Sequence, residues 1–201
     1  TIAGVMISSP NNIVTNNQFA GTGIGVNLFG ANAKTNLISG NSFVSDLTET
    51  PAKFSSVGVS LFNGANDNFV ENNIFAGQRT IGVMIGEPGT SSNYIQDNWF
   101  GIEGVNSRRI GINSGITFAE GASDNYVQHN TICGASSDSS FGIAVRLYSH
   151  KNIIRNNYLG TDKSGVLNFP NKVGIFLSSS NFNTVAQNII WHNNHGIVEY
   201  D

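Results

Sequence analysis

The sequence predicts an all-β solenoid, a chain wound so that each turn lies directly on the one before. Three observations carry the prediction. The tetrad Gly4-Val5-Met6-Ile7 returns as Gly25-Val26-Asn27-Leu28, Gly58-Val59-Ser60-Leu61, Gly82-Val83-Met84-Ile85, Gly115-Ile116-Thr117-Phe118, Gly142-Ile143-Ala144-Val145 and Gly174-Ile175-Phe176-Leu177, and begins again at Gly196. About ten residues after each of the first seven glycines stands Asn-x-apolar-x-x-Asn-x-apolar, first as the run from Asn12 to Phe19. The composition is also unusual: 29 Asn and 23 Gly in 201 residues, with 11% charged against roughly 25% in an ordinary soluble chain.

Each element of the unit has a physical reason. Apolar alternation after the glycine makes a short strand with one buried face. The leading asparagine follows, at Asn12, Asn36, Asn68, Asn93, Asn125, Asn152 and Asn183. Its amide both donates and accepts, so stacked copies bond in a continuous file, and asparagine tolerates the left-handed backbone of a tight turn. A second short strand comes next, with Val14, Ile38, Val70, Ile95, Val127, Ile154 and Val185 inward. The trailing asparagines form another structural ladder, Asn17, Asn41, Asn73, Asn98, Asn130, Asn157 and Asn188. A third strand carries Phe19, Phe43, Phe75, Phe100, Ile132, Leu159 and Ile190 inward. As a hairpin, a unit recurring every 21 to 33 residues would have no fixed partner for these faces. Coiling sets each residue on its equivalent about 4.8 Å away. About seven rungs are expected, as one domain over residues 1–201. Neither end shows a polar cap, so a longer natural solenoid is expected.

The connections alternate in length. Asn41 to Gly58, Asn98 to Gly115 and Asn157 to Gly174 each span 17 positions, and the others are shorter. Long arms therefore belong to alternate rungs at one corner, where they either project as a binding edge or fold down as covers.

Charge and composition exclude several classes. A net charge of -3 with no basic run argues against a nucleic-acid partner, which needs clustered Lys and Arg. No apolar run reaches the 18 or so residues of a membrane helix. The lone cysteine, Cys133, closes no intrachain disulfide and is expected to pack just past an inward isoleucine. No Asn-x-Ser/Thr sequon occurs among so many asparagines.

The run Asn157-Tyr158-Leu159-Gly160-Thr161-Asp162-Lys163-Ser164-Gly165, followed by Pro170-Asn171-Lys172-Val173-Gly174-Ile175, resembles bacterial secreted β-helix repeat proteins. The whole chain is similar to the right-handed parallel β-helix of the pectin-lyase-like superfamily. That resemblance implies a right-handed coil, an extracellular, cell-surface or virion location, and polysaccharide or copies of itself as partner, with an oligomer plausible. It is poor for activity, because lyases, hydrolases, epimerases, phage tailspikes and non-catalytic surface proteins share the architecture. The Asn-Thr-Asp, Asp-Asp and Asp-Pro-His-Asp elements of its enzymes do not occur here.

Stacking nominates candidate sites. Glu87 and Glu120 stand five residues after their glycines in successive rungs, with Arg146 one rung on and one position earlier. Such a pair suits a retaining glycosidase, or a calcium ion shared between the carboxylates, and is otherwise a solvated turn. No other cofactor or metal is implied. Asp97 and His129 are rung neighbours that read either as a general-base pair or as members of a polar turn column. On the outward side of the second strand, Ile13, Leu37, Phe69, Tyr94, Tyr126, Ile153 and Thr184 make an apolar column, and Trp99 and Tyr158 lie outward five residues further along their rungs. Such a stripe is a sugar platform, a seam between copies or a covered face. The function expected is a rigid scaffold that binds polysaccharide or assembles with itself, without a complete catalytic set. Part of a polysaccharide lyase or glycoside hydrolase, and a purely structural filament or adhesin subunit, are the alternatives.

Overall fold

The glycine-led alternation produces the longest strands. In the computed structural model, which describes residues 3–44, 55–103 and 108–201, β1 (Ala3–Ile7), β4 (Ile24–Phe29), β7 (Val57–Phe62), β10 (Ile81–Gly86), β15 (Ser114–Ala119), β18 (Phe141–Val145), β21 (Val173–Ser178) and β24 (His195–Tyr200) form one parallel eight-stranded sheet in that order. The leading asparagine of each rung opens the second sheet: β2 (Ile13–Thr15), β5 (Leu37–Ser39), β8 (Phe69–Glu71), β11 (Tyr94–Gln96), β16 (Tyr126–Gln128), β19 (Ile153–Arg155) and β22 (Thr184–Ala186). The trailing asparagine opens the third: β3 (Gln18–Phe19), β6 (Ser42–Val44), β9 (Ile74–Ala76), β12 (Trp99–Phe100), β17 (Thr131–Ile132), β20 (Tyr158–Leu159) and β23 (Ile189–Ile190). Every pairing within these sheets is parallel and joins equivalent residues. Val5, Val26, Val59, Val83, Ile116, Ile143, Ile175 and Ile197 make one unbroken column.

The core sits between the three sheets. Phe19, Phe43, Phe75 and Phe100 stack face to face with centroids 4.9, 4.8 and 4.7 Å apart, and Ile132 and Leu159 continue the file fully buried. These rings explain the repeating glycine. A Cβ on Gly25 would lie 2.6 Å from the Phe43 ring and 2.6 Å from the Gly58 carbonyl oxygen, and Gly58, Gly82 and Gly142 are hemmed in likewise.

Both asparagine ladders form. In the leading file the Nδ2–H of Asn36 donates to Oδ1 of Asn68 at 2.9 Å, Asn68 to Asn93 at 3.0 Å and Asn93 to Asn125 at 3.0 Å. In the trailing file Asn73 donates to Asn98 at 3.1 Å and Asn98 to Asn130 at 3.0 Å. Each Oδ1 also accepts the backbone N–H of the rung below, as Asn98 does from Asn73 at 2.9 Å. The corners before the ladders are left-handed throughout: Asn16, Asn72, Asp97, His129, Asn156 and Gln187 have φ of 55 to 58°, and Gly40 has φ of 66°.

The second and third long arms fold down as covers. In the second, β13 (Ile102–Glu103) pairs antiparallel with β14 (Arg108–Arg109). In the third, Asp162 accepts from the Ser164 hydroxyl at 2.7 Å and the Leu167 N–H at 3.3 Å, closing a turn that brings Leu167 and Phe169 down. Ile102, Cys133 and Leu167 are buried together, with Trp99 and Phe169 packed against them, and the Arg109 guanidinium lies 5.5 Å over the Phe169 ring. The reason is apolar cover: the outer face of the third sheet carries Trp99 and Cys133, and the two arms bury Cys133 and cover Trp99 in part. The first arm lies largely outside the described residues. Among the described residues no helix is long and apolar enough to cross a membrane.

Candidate functional site

A groove of about 340 Å³ lies on the outer face of the long-strand sheet. It arises from side-chain size. One outward column falls from Phe62, whose ring lies over Gly86, to the small Ala119, and the next rung places the long side chain of Arg146 there. Met84 and Thr117 line its floor, with Glu120 and Arg146 at one side.

Arg146 is half-buried. Its guanidinium lies 4.5 Å over the Phe141 ring and 5.5 Å from Phe176, whose rings are 4.5 Å apart. Its Nε has no hydrogen-bond partner, and burial draws its pKa below the ordinary value. Aromatic faces hold the cation by their quadrupoles; its Nε is buried, so a ligand oxygen in the groove would meet the terminal nitrogens.

The structure brings two of the three candidate catalytic residues to this groove. Glu87 and Glu120 follow the paired Gly86 and Ala119, so they are rung neighbours. Only Glu120 lines the groove. Both residues are left-handed, with φ of 72 and 54°, at a corner where Asn63 and Leu147 are left-handed too, so the conformation belongs to the corner and not to the carboxylates. No hydrogen bond or ion pair engages either carboxylate among the described residues. Nor do three or more His, Cys, Asp or Glu side chains gather there to hold a metal ion. The Asp97 and His129 side chains share no hydrogen bond, and both sit in the left-handed turn column, where short polar residues and glycine are at home.

The aromatic candidates divide between two sheets. Phe69, Tyr94 and Tyr126 stack on the second sheet with centroids 5.1 and 4.6 Å apart and planes within 10°. Both faces of Tyr94 are covered by its neighbours, and Leu37 and Ile153 follow at the two ends of the stack, whereas a stacked sugar needs a free face. Trp99 and Tyr158 belong to the third sheet, in one column with Thr131. Trp99 packs under the folded arms. The five residues therefore do not make one platform.

Two features went unread in the sequence. One is a third amide file: Asn171 donates to Oδ1 of Asn193 at 2.9 Å and to the Ile132 carbonyl at 2.9 Å, and Gln78 donates to the Phe43 carbonyl at 2.6 Å. Its signal was an asparagine three residues before both Gly174 and Gly196. The other is the pair Phe141 and Phe176 beneath Arg146, which sequence spacing does not join.

The family model for the right handed beta helix region matches residues 44–201. Comparison with the curated proteins gives no match.

Proposed function

The chain belongs to the right-handed β-helix family, and on that premise we propose that it is a rigid extracellular or virion-surface scaffold that binds polysaccharide without cleaving it. The observation that carries this reading is Arg146: a guanidinium propped on two aromatic rings, without a carboxylate partner among the described residues, at the side of an open groove. With Thr117 and Glu120 beside it, the groove offers charged and neutral hydrogen-bonding groups to the hydroxyls or carboxylates of a glycan chain. Hydrolysis with retention would need two carboxylates flanking one bond, and Glu120 alone of the two glutamates lines the groove.

A glycan array followed by titration calorimetry tests the reading. Arg146→Ala should weaken binding by roughly tenfold, the loss of one charge-assisted contact, with no product formed by either protein. Equal binding by Arg146→Ala, or no glycan bound at all, overturns it. Turnover of an acidic glycan that Glu120→Gln abolishes would put a depolymerase in its place.

A further inference from the structure

The outer face of the second sheet carries an ordered charge pattern that neither the groove nor the core uses. Outward from β8, β11, β16 and β19, the side chains of Glu71, Gln96, Gln128 and Arg155 form one hydrogen-bonded file. Gln96 donates to Glu71 at 2.8 Å, Gln128 to Gln96 at 3.0 Å, and Arg155 through its Nε to Gln128 at 3.0 Å. The file is polar along the solenoid axis, acid at one end and guanidinium at the other. Beside it runs the apolar file of Phe69, Tyr94, Tyr126 and Ile153. The left-handed corner columns on either side repeat the polarity. Asp67 stands three rungs from Lys151, and Asp97 one rung from His129.

We propose that this face pairs with the same face of a second copy, the two solenoids antiparallel about a two-fold axis that runs along the strands between β11 and β16. That operation places each rung opposite its mirror in the count, so Glu71 meets Arg155, Asp67 meets Lys151 and Asp97 meets His129, each pair occurring twice. Tyr94 meets Tyr126 at the centre. Asp124, the remaining charged residue of these columns, meets the hydroxyl of Ser92. Moving the axis half a rung toward either end sets Asp97 or Asp124 against its own copy, so the charges select one register. Ring edges and Ile153 supply a dry centre, with the ion pairs at the rim. A face a few strands long at about 4.8 Å spacing suits a weak, reversible dimer rather than an obligate one. The pairing gives the self-assembly expected of the scaffold a definite geometry, and it leaves the groove, on another sheet, open to solvent.

Sedimentation equilibrium of the full chain over a wide concentration range should show a monomer–dimer equilibrium that weakens as salt is raised. Arg155→Glu alone and Glu71→Arg alone should each weaken the homodimer by roughly tenfold or more, since both set like charges together twice. Mixed one to one, these two variants should pair with each other at wild-type strength, which also shows that both are folded. A monomer at every concentration, homodimers indifferent to either reversal, or a mixture no stronger than its parts would overturn the proposal. Glycan binding by the same variants, measured in parallel, separates failure here from failure of the groove.

Discussion

A buried asparagine in the ladder carries more than its own bonds. Asn98 donates to Val70 O at 2.8 Å and to Asn130 at 3.0 Å, and accepts from both the backbone and the amide of Asn73. Asn98→Ala would strand all of these partners away from water, at about 1–3 kcal/mol for each unsatisfied group. The expected loss in a urea titration is about 3 kcal/mol or more, and a loss below about 1 kcal/mol would mean that the file merely decorates the turn. The spacing of asparagines was legible because the amide must recur at the same place in every turn to meet its copy. Asp97 and His129 were legible as two alternatives, a general-base pair or members of a polar turn column, and the left-handed φ shared along that column favours the second.

The arms and the sheet beneath them act as one element. Burial, opposed in part by the Gly160 backbone, pushes the Cys133 thiol up from an ordinary 9.0 to about 12, so the folded chain keeps the proton where the unfolded chain loses it. Stability linked to this thiol is therefore unchanged below about pH 9 and falls between about pH 9 and 12. Because Leu167 roofs the same cluster, Leu167→Ala should cost about 2–3 kcal/mol and open a path to the sulfur. Alkylation at pH 8 should be slow in the wild type and markedly faster in Leu167→Ala; equal rates would show that the arm does not close over Cys133. The alternating arm lengths could be counted in the sequence, but projecting and folding arms have the same spacing. What decided between them was Ile102, Leu167 and Phe169 meeting Trp99 across two rungs.

As a whole, the molecule is a stack in which each rung touches only its neighbours, so protection should follow the bonds between rungs. Asn73, Asn98 and Asn130 are buried between rungs on both sides, and the backbone N–H of Asn73 donates to Asn98 and that of Asn98 to Asn130. Hydrogen exchange should be slowest at these backbone amides and fast at Val166, which is exposed on the third arm. Uniform protection would indicate a single cooperative block. The groove and the charged face lie on different sheets of this stack, so the proposed glycan contact and the proposed pairing would not compete for one surface.

Residue identity at fixed intervals determined, by itself, that the chain coils, where its glycines and asparagines fall and which side chains point inward. These depend on the repeat alone, since like must lie on like for backbone and amide bonds to close. The tertiary structure alone decided which outward residues are used: that Trp99 is covered in part, that Tyr94 is covered on both faces by its neighbours, and that Arg146 rests on Phe141 and Phe176. Outward neighbours come from different rungs and corners, and their meeting depends on how each turn bends and each arm folds, which no single period in the sequence records.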